Sequence, residues 1–597
     1  MSLNARSARL FLQRWYEQLH SSSAPRKART LGSCAALEEV VALADAWLRS
    51  GGQTKPAMDP EDGGHGVQML PDVAAEAEKT LQRDVLLVSR YSARRDVLVE
   101  AARRIKSDKA DDIRAALGQI NALLPALRRS YIEDGFAELQ RLLEYEPGEH
   151  ERIVGLAECI VSELRARGWT DAGLLEAYEI TPADDAVAVV ATLATRVCSA
   201  KQQFECYVCL TLPAERPPFP DGDLSFRIVD ALPNEPRVGR PLKRGTYAKV
   251  LIDAFDPVGA AAIAYRRVLS TVGALTVFLP ESRIDVASEI VGVRLPGGSL
   301  RGCEFQERLA EEPRFVDPDG IRRILASSWA ASSKPAADPL HDAIRLRHRA
   351  VYKSDPETRL LLLWSGIERM TSGARGFRGG ALAAAKELVS HAVTLGKLRR
   401  DVGDFAAVME HSVTDERARG ELLRVVGGYR DLRAATDRVH RGKVLEHLLG
   451  DEAKLQQMTG PFYAAHPLLA FRAHSLWMDF GGGIVARRGK AIAEYHERSR
   501  QRVAWQVGRV YRARNRIAHV GVGPERLKDL VAHAYFYLTQ LIAICVHYNE
   551  TEPIRAQDLL TTRMGQYQAY VELLRKGDPA FLKPEALMRP ASALQRQ

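Results

Sequence analysis

The sequence predicts a mainly α protein with a smaller α+β region in its middle, on three observations. Ala, Leu, Arg and Glu dominate two long stretches in which apolar residues recur at three and four positions. Between them the texture changes to short apolar or alternating runs punctuated by proline. An Ala-, Ser- and Pro-rich connector then leads back to helical sequence. A chain of 597 residues is long for one core. It divides into a helical region 1–195, an α+β region 196–325, a linker 326–338, a helical domain 339–550 and a tail 551–597.

Taken in order, Ala101 to Arg129 and Arg152 to Arg167 have helical spacing, and Gly51 to Gly66 is a Gly-, Pro- and Asp-rich loop. Tyr207 to Leu212, Ser225 to Val229, Ala248 to Ile252, Leu275 to Leu279 and Ile290 to Leu295 are candidate strands. His341 to Tyr352 is helical. Asp355-Pro356-Glu357 is a helix start: a capping carboxylate, a proline suited to the first turn, and an acid at the positive end of the dipole. The helix it opens has Leu360, Leu363, Trp364 and Ile367 on one stripe, with Glu368 beside it. Glu494 to His519 is one helix. Gly521, Gly523 and Pro524 end it, and a second amphipathic helix follows from Leu527 to Cys545.

The net charge of +9 is a mild excess, compatible with a polyanionic partner without requiring one. Seven cysteines, an odd number, with no secretory leader argue against a disulfide framework and for a reducing cytoplasm. No apolar run approaches the ~20 residues of a membrane span. Cys206 and Cys209 have zinc-ligand spacing but lack a second close pair, so buried strand thiols are the expectation. Gly483 to Lys490 is one residue too long for a phosphate loop. No metal and no cofactor is implied.

The segment Glu494 to His519 carries the chemistry. Its apolar stripe, Val503, Val507, Val510 and Ile517, passes through Arg514, a guanidinium on the face expected to be buried. Asn515 and His519 are four apart and share a face, and Arg514 is about 100° round from Asn515. Arg498, Arg502, Arg509 and Arg516 form a stripe that, with Arg500 and Arg512 nearby, could follow a phosphate backbone.

Arg514-Asn515-Arg516-Ile517-Ala518-His519 resembles the R-N-x-x-x-H signature of HEPN ribonucleases, with flanks similar to the Apea-like branch. Asp355 to Glu368 resembles that branch's upstream helix, and the likeness covers roughly residues 338–550. The chain has five asparagines, so the placement of one between this Arg and this His adds weight to the motif. The resemblance implies a HEPN-type helical bundle, dimerisation that brings two motifs into a shared cleft, and RNase activity in antiviral defence or abortive infection. Residues 1–330 resemble no known family, and by analogy, since a toxic nuclease needs restraint, they are expected to be a sensor or regulatory region responding to a viral or nucleic-acid trigger.

The residues suit RNA transesterification. His519 could act as base or acid, Arg514 could hold phosphate oxygens, and Asn515 could position either. Glu368 is a possible auxiliary, and Arg502, Arg509, Arg512 and Arg516 are candidate RNA contacts. Two alternatives stay open: a non-catalytic HEPN module that binds nucleic acid, a nucleotide or a protein, and a purely structural helical scaffold.

Overall fold

Each of the three sequence textures folds around its own apolar clusters. The structure is a computed structural model that describes residues 3–19, 31–49, 70–107, 109–179, 185–212, 226–233, 237–278, 285–304, 339–353, 355–374, 377, 380–431, 436–520, 527–548 and 555–594. The loop expected at 51–66 and the linker expected at 326–338 lie outside the described residues.

The N-terminal helices are α1 (Leu3–Leu19), α2 (Ser33–Arg49), α3 (Leu70–Arg83), α4 (Val85–Arg90), α5 (Ser92–Arg104), α6 (Ala110–Tyr145), α7 (His150–Arg167), α8 (Asp171–Glu179) and α9 (Ala186–Val197). Their shared core has Phe11 and Trp15 of α1 against Phe136 of α6 at its centre. The helical stretch 101–129 is divided between two helices. The chain turns at Ile105 to Ser107, where Ser107 Oγ accepts the Lys109 N–H at 3.2 Å, and α6 then continues through Pro125 to Tyr145. Asp84 caps α4. Its buried carboxylate accepts from the Leu87 N–H at 3.0 Å, from Ser33 Oγ at 2.5 Å and from the Tyr131 hydroxyl.

The middle region is a mixed sheet with one long helix on it. Its elements are β1 (Gln202–Thr211), β2 (Arg227–Val229), β3 (Arg237–Gly239), β4 (Thr246–Ala254), α10 (Pro257–Phe278), β5 (Asp285–Val286), β6 (Ile290–Arg294) and β7 (Leu300–Glu304). The order is β2-β4-β1-β6-β7-β3, with β5 pairing β1 and β3 parallel to β7. Of the strand expected over 275–279, the described residues 275–278 are instead the end of α10. Asp256 accepts the Gly259 N–H at 2.8 Å, Pro257 suits the first turn, and the alanine-rich run that follows favours helix. Cys206 and Cys209 are buried in β1, and burial pushes the Cys206 thiol up to about 12.

The C-terminal region contains α11 (Pro339–Val351), α12 (Pro356–Thr371), α13 (Gly380–Leu395), α14 (Lys397–Ser412), α15 (Glu416–Val426), the hairpin β8 (Gly428–Asp431) and β9 (Thr436–Val439), α16 (Arg441–Leu448), α17 (Glu452–Thr459), α18 (Pro467–Asp479), α19 (Val485–Val520), α20 (Leu527–Tyr548), α21 (Ala556–Arg575), α22 (Pro584–Met588) and α23 (Pro590–Leu594). It holds two apolar clusters. One gathers α11, α12, α13, α20 and the second half of α19; the other gathers α14 to α18 with the first half of α19 and the end of α21. The 36-residue α19 therefore belongs to both.

Residues 555–594 of the expected tail are integral structure. Tyr567 and Tyr570 of α21 are buried beside His391 and His496, because apolar residues recur along one face of that helix. Two glycines permit close approach: a Cβ at Gly366 of α12 would lie 2.6 Å from Leu538 of α20, and one at Gly489 of α19 would lie 2.2 Å from the Leu574 carbonyl oxygen.

Among the described residues one helix, Leu527–Val546, is long and apolar enough to cross a membrane by length and composition, contrary to the sequence expectation. It is 56% buried, with Val531, Leu538, Leu541 and Cys545 in the bundle core, and an apolar core helix meets the same criteria.

His496 of α19 is fully buried, and that burial, with Lys397 adding to it, pulls its imidazole down to about 4. A depressed folded pKa means that stability is full above the unfolded value near 6.5 and declines as pH falls from there toward 4, at about 1.4 kcal/mol per pH unit. Urea unfolding of wild type at pH 7 and pH 5 is expected to show this loss, and His496→Gln to flatten it. A pH response identical in the two proteins contradicts the assignment.

Candidate functional site

The motif helix is held by the neighbours on either side of it. Val507, Val510, Ala513 and Ile517 of α19 are buried against α12 and α20, and Trp364 of α12 lies 5.4 Å from Tyr511 between ring centroids. The start of α12 is fixed by Asp355, which accepts the Thr358 N–H at 2.7 Å and the Glu357 N–H at 3.3 Å. This register brings Glu368, on a later turn of α12, opposite Arg514.

Arg514 Nη1 donates to Asn515 Oδ1 at 2.9 Å, and Nη2 stands 3.9 Å from Glu368 Oε2. The Arg514 and Glu368 side chains are 31% and 32% exposed. The guanidinium is thus at the margin of the core rather than inside it as the apolar stripe suggested. A pair so exposed and so long is weak. Its fork is oriented by a neutral amide and only loosely held by the carboxylate, an arrangement in which a phosphate can replace the carboxylate.

Glu368 also lines an open groove of about 380 Å³ with Asp342, Arg345 and Leu346 of α11 and Ser365, Arg369 and Ser372 at the α12 side. Arg345 Nη2 and Arg369 Nε reach Asp342 at 2.9 and 3.5 Å, and both arginines remain more than half exposed. Sequence reasoning missed Arg345 and Arg369; both lay in helices already recognised, but nothing in the chain indicated that α11 and α12 would leave a groove between them.

His519 lies in the last turn of α19, where the sequence placed it; its side chain lies outside the described residues. By helical register it shares a row with Arg512, seven residues earlier, and with Asn515, four earlier. Arg514 is about 140° from that row and faces α12, and Asn515 stands between the two directions.

The arginine stripe requires correction. Arg509 is 8% exposed and its guanidinium pairs with Glu76 of α3. Arg512 donates through Nε to Glu39 Oε1 of α2 at 2.9 Å. Both are consumed by carboxylates of the N-terminal helices and are not open RNA contacts in this structure. Arg502 is half-buried beside Arg83. Arg498 binds Asp479 at 2.5 Å, and Arg500 lies 3.4 Å from Glu497. Arg516 is exposed as expected. Burial raises the Glu76 carboxyl above the ordinary range, with Arg509 pulling the other way. No sequence signal marked Glu39 or Glu76, since each meets its arginine across more than four hundred residues.

Among the described residues no three His, Cys, Asp or Glu are grouped as metal ligands.

The two kinds of arginine separate on mutation. Arg509→Ala strands the buried Glu76 and is expected to lower stability by about 3–5 kcal/mol. Arg514→Ala is expected to change it by less than about 1 kcal/mol. Urea midpoints of the two variants check this, and equal losses would show that Arg514 is a structural arginine too. Compared with protein-family models, curated proteins and solved structures, the chain matches none.

Proposed function

We propose that the chain is a metal-independent endoribonuclease of the HEPN type, acting in the cytoplasm as an antiviral or abortive-infection effector. The observation that carries this reading is Arg514, about one-third exposed and hydrogen-bonded to Asn515 one turn from His519, at the margin of a bundle beside the Glu368 groove. In this reading the scissile phosphodiester lies across the end of α19, between the Arg514 face and the row of His519. The ribose 2′-oxygen attacks phosphorus and the P–O5′ bond breaks. One proton leaves the 2′-hydroxyl and another reaches the 5′-oxygen, and His519 of one or both copies in a homodimer performs these transfers. Arg514 stabilises the charge that grows on the phosphoryl oxygens, and Asn515 keeps the guanidinium oriented. Glu368 occupies Arg514 loosely in the resting state and yields to phosphate.

The test uses a fluorescent RNA with EDTA present. Wild type is expected to cleave it, leaving 2′,3′-cyclic phosphate and 5′-hydroxyl ends. Arg514→Ala and His519→Ala are each expected to lose at least about 100-fold in rate while remaining folded. A folded wild type that binds RNA without cutting it would favour the non-catalytic binding module. Cleavage abolished by EDTA and restored by a divalent ion would overturn the mechanism.

A further inference from the structure

Helix α3 runs antiparallel along α19. Arg83 lies near Arg498 and Arg502. One turn earlier, Lys79 bonds Gln501 and stands 5.3 Å from the Trp505 ring. Glu76 then meets Arg509, and beyond it Glu39 of α2 meets Arg512. Asp72, at the start of α3, binds Lys386 of α13. The N-terminal helices therefore lie on the arginine face of α19, up to the row that continues through Asn515 to His519.

This seam is polar. The apolar cluster of the N-terminal helices and the cluster around Trp364 and Val510 are separate. The N-terminal unit shares apolar packing with the C-terminal region elsewhere, at α18, where Leu468 and Phe471 join its core. There Gln13 also accepts the Leu468 N–H at 3.0 Å. The α18 contact is apolar with one ion pair, Arg472 to Glu17, whereas the contact on the motif helix is mainly a set of ion pairs. Such a pairing lets the unit open along α19 while it stays attached at α18.

We propose that Glu39 and Glu76 are internal phosphate mimics: the N-terminal unit closes on α19 through Arg509 and Arg512, and a single-stranded RNA backbone opens it by replacing those carboxylates with phosphates. This rests on the reading of α19 as the nucleic-acid face. Charge balance favours the exchange, because Arg83, Arg498 and Arg502 crowd three guanidiniums at one end of the seam, where Asp479 is the carboxylate that answers them among the described residues. The closed state restrains the site by occupying the arginines that would carry RNA toward Asn515 and His519. Opening frees them, so the substrate's own backbone acts as the release signal.

The test is amide hydrogen exchange on the full chain, with poly(U) binding measured by fluorescence anisotropy. In wild type, exchange across Leu70–Arg83 is expected to rise several-fold when poly(U) or NaCl is added, while α1 and α18 stay protected. Glu39→Gln/Glu76→Gln is expected to show that rise without ligand and to bind poly(U) about tenfold more tightly than wild type. Should the double variant not fold, the wild-type series decides alone. Unchanged exchange across α3 at saturating poly(U) and in high salt overturns the proposal, as does equal affinity in the two proteins. Absence of RNA cleavage with a seam that opens in this way would sink the nuclease reading and leave the latch standing; cleavage with a seam that never opens would do the reverse.

Discussion

Arg509 lies midway along the second half of a 36-residue helix at 8% exposure, and a guanidinium withdrawn so far from water costs several kcal/mol unless an anion meets it. No residue of its own helix faces it as a carboxylate. Glu76, 433 positions earlier in the chain, supplies the charge, and burial of the pair fixes where α3 must lie. Once α3 is set along α19, Lys79 reaches Gln501, and the neighbouring helix α2 presents Glu39 to Arg512. The buried Arg509–Glu76 pair thus sets how α2 and α3 meet the candidate site, alongside the separate contact at α18.

Helix α19 can support this because three different surfaces depend on it. Its first half is core to the α14–α18 cluster, its second half is core to the α11–α13 and α20 bundle, and α3 covers a third side. A helix fastened along its whole length has little freedom to shift, so residues in its last turns are placed by contacts far from them. The Trp364–Tyr511 contact and the close approach of Gly366 to Leu538 fix α12 against the same bundle. The Arg514–Glu368 distance is thus set by packing rather than by the weak attraction between the two groups.

Local signals in the chain were legible. The cap at Asp355 and the single helix through Glu494 to His519 could be read directly, as could the β1, β4 and β6 runs, because capping, helical period and strand alternation all act within a few residues. The run 275–279 misled because its apolar residues suit either state, and only the capped, alanine-rich start of α10 decides it. The last 47 residues read as a tail because the tyrosines of α21 gain meaning only against His391 and His496. The candidate site was legible as a motif, and its surroundings were not. From sequence, Arg498, Arg502, Arg509 and Arg516 form one basic stripe with Arg500 and Arg512 beside it, and nothing local tells a solvated arginine from one awaiting a distant glutamate.

That stripe divides at Ala513. Before it, Arg509 and Arg512 turn toward α2 and α3 and are neutralised. After it, Arg514 turns toward α12 and is only loosely paired, and Arg516 is exposed. Two residues of helix amount to about 200°, enough to take neighbouring arginines from one side of the bundle to the other. One sequence of like charges thus serves two ends: the inner arginines tie two parts of the chain together, and the outer ones leave positive charge where the helix stops. Asn515 lies on the boundary, donating no charge to either side yet fixing the Arg514 fork. In the proposed reading this boundary lets docking of the N-terminal unit and engagement of a phosphate compete along one helix, because the charges that do each job are less than one turn apart.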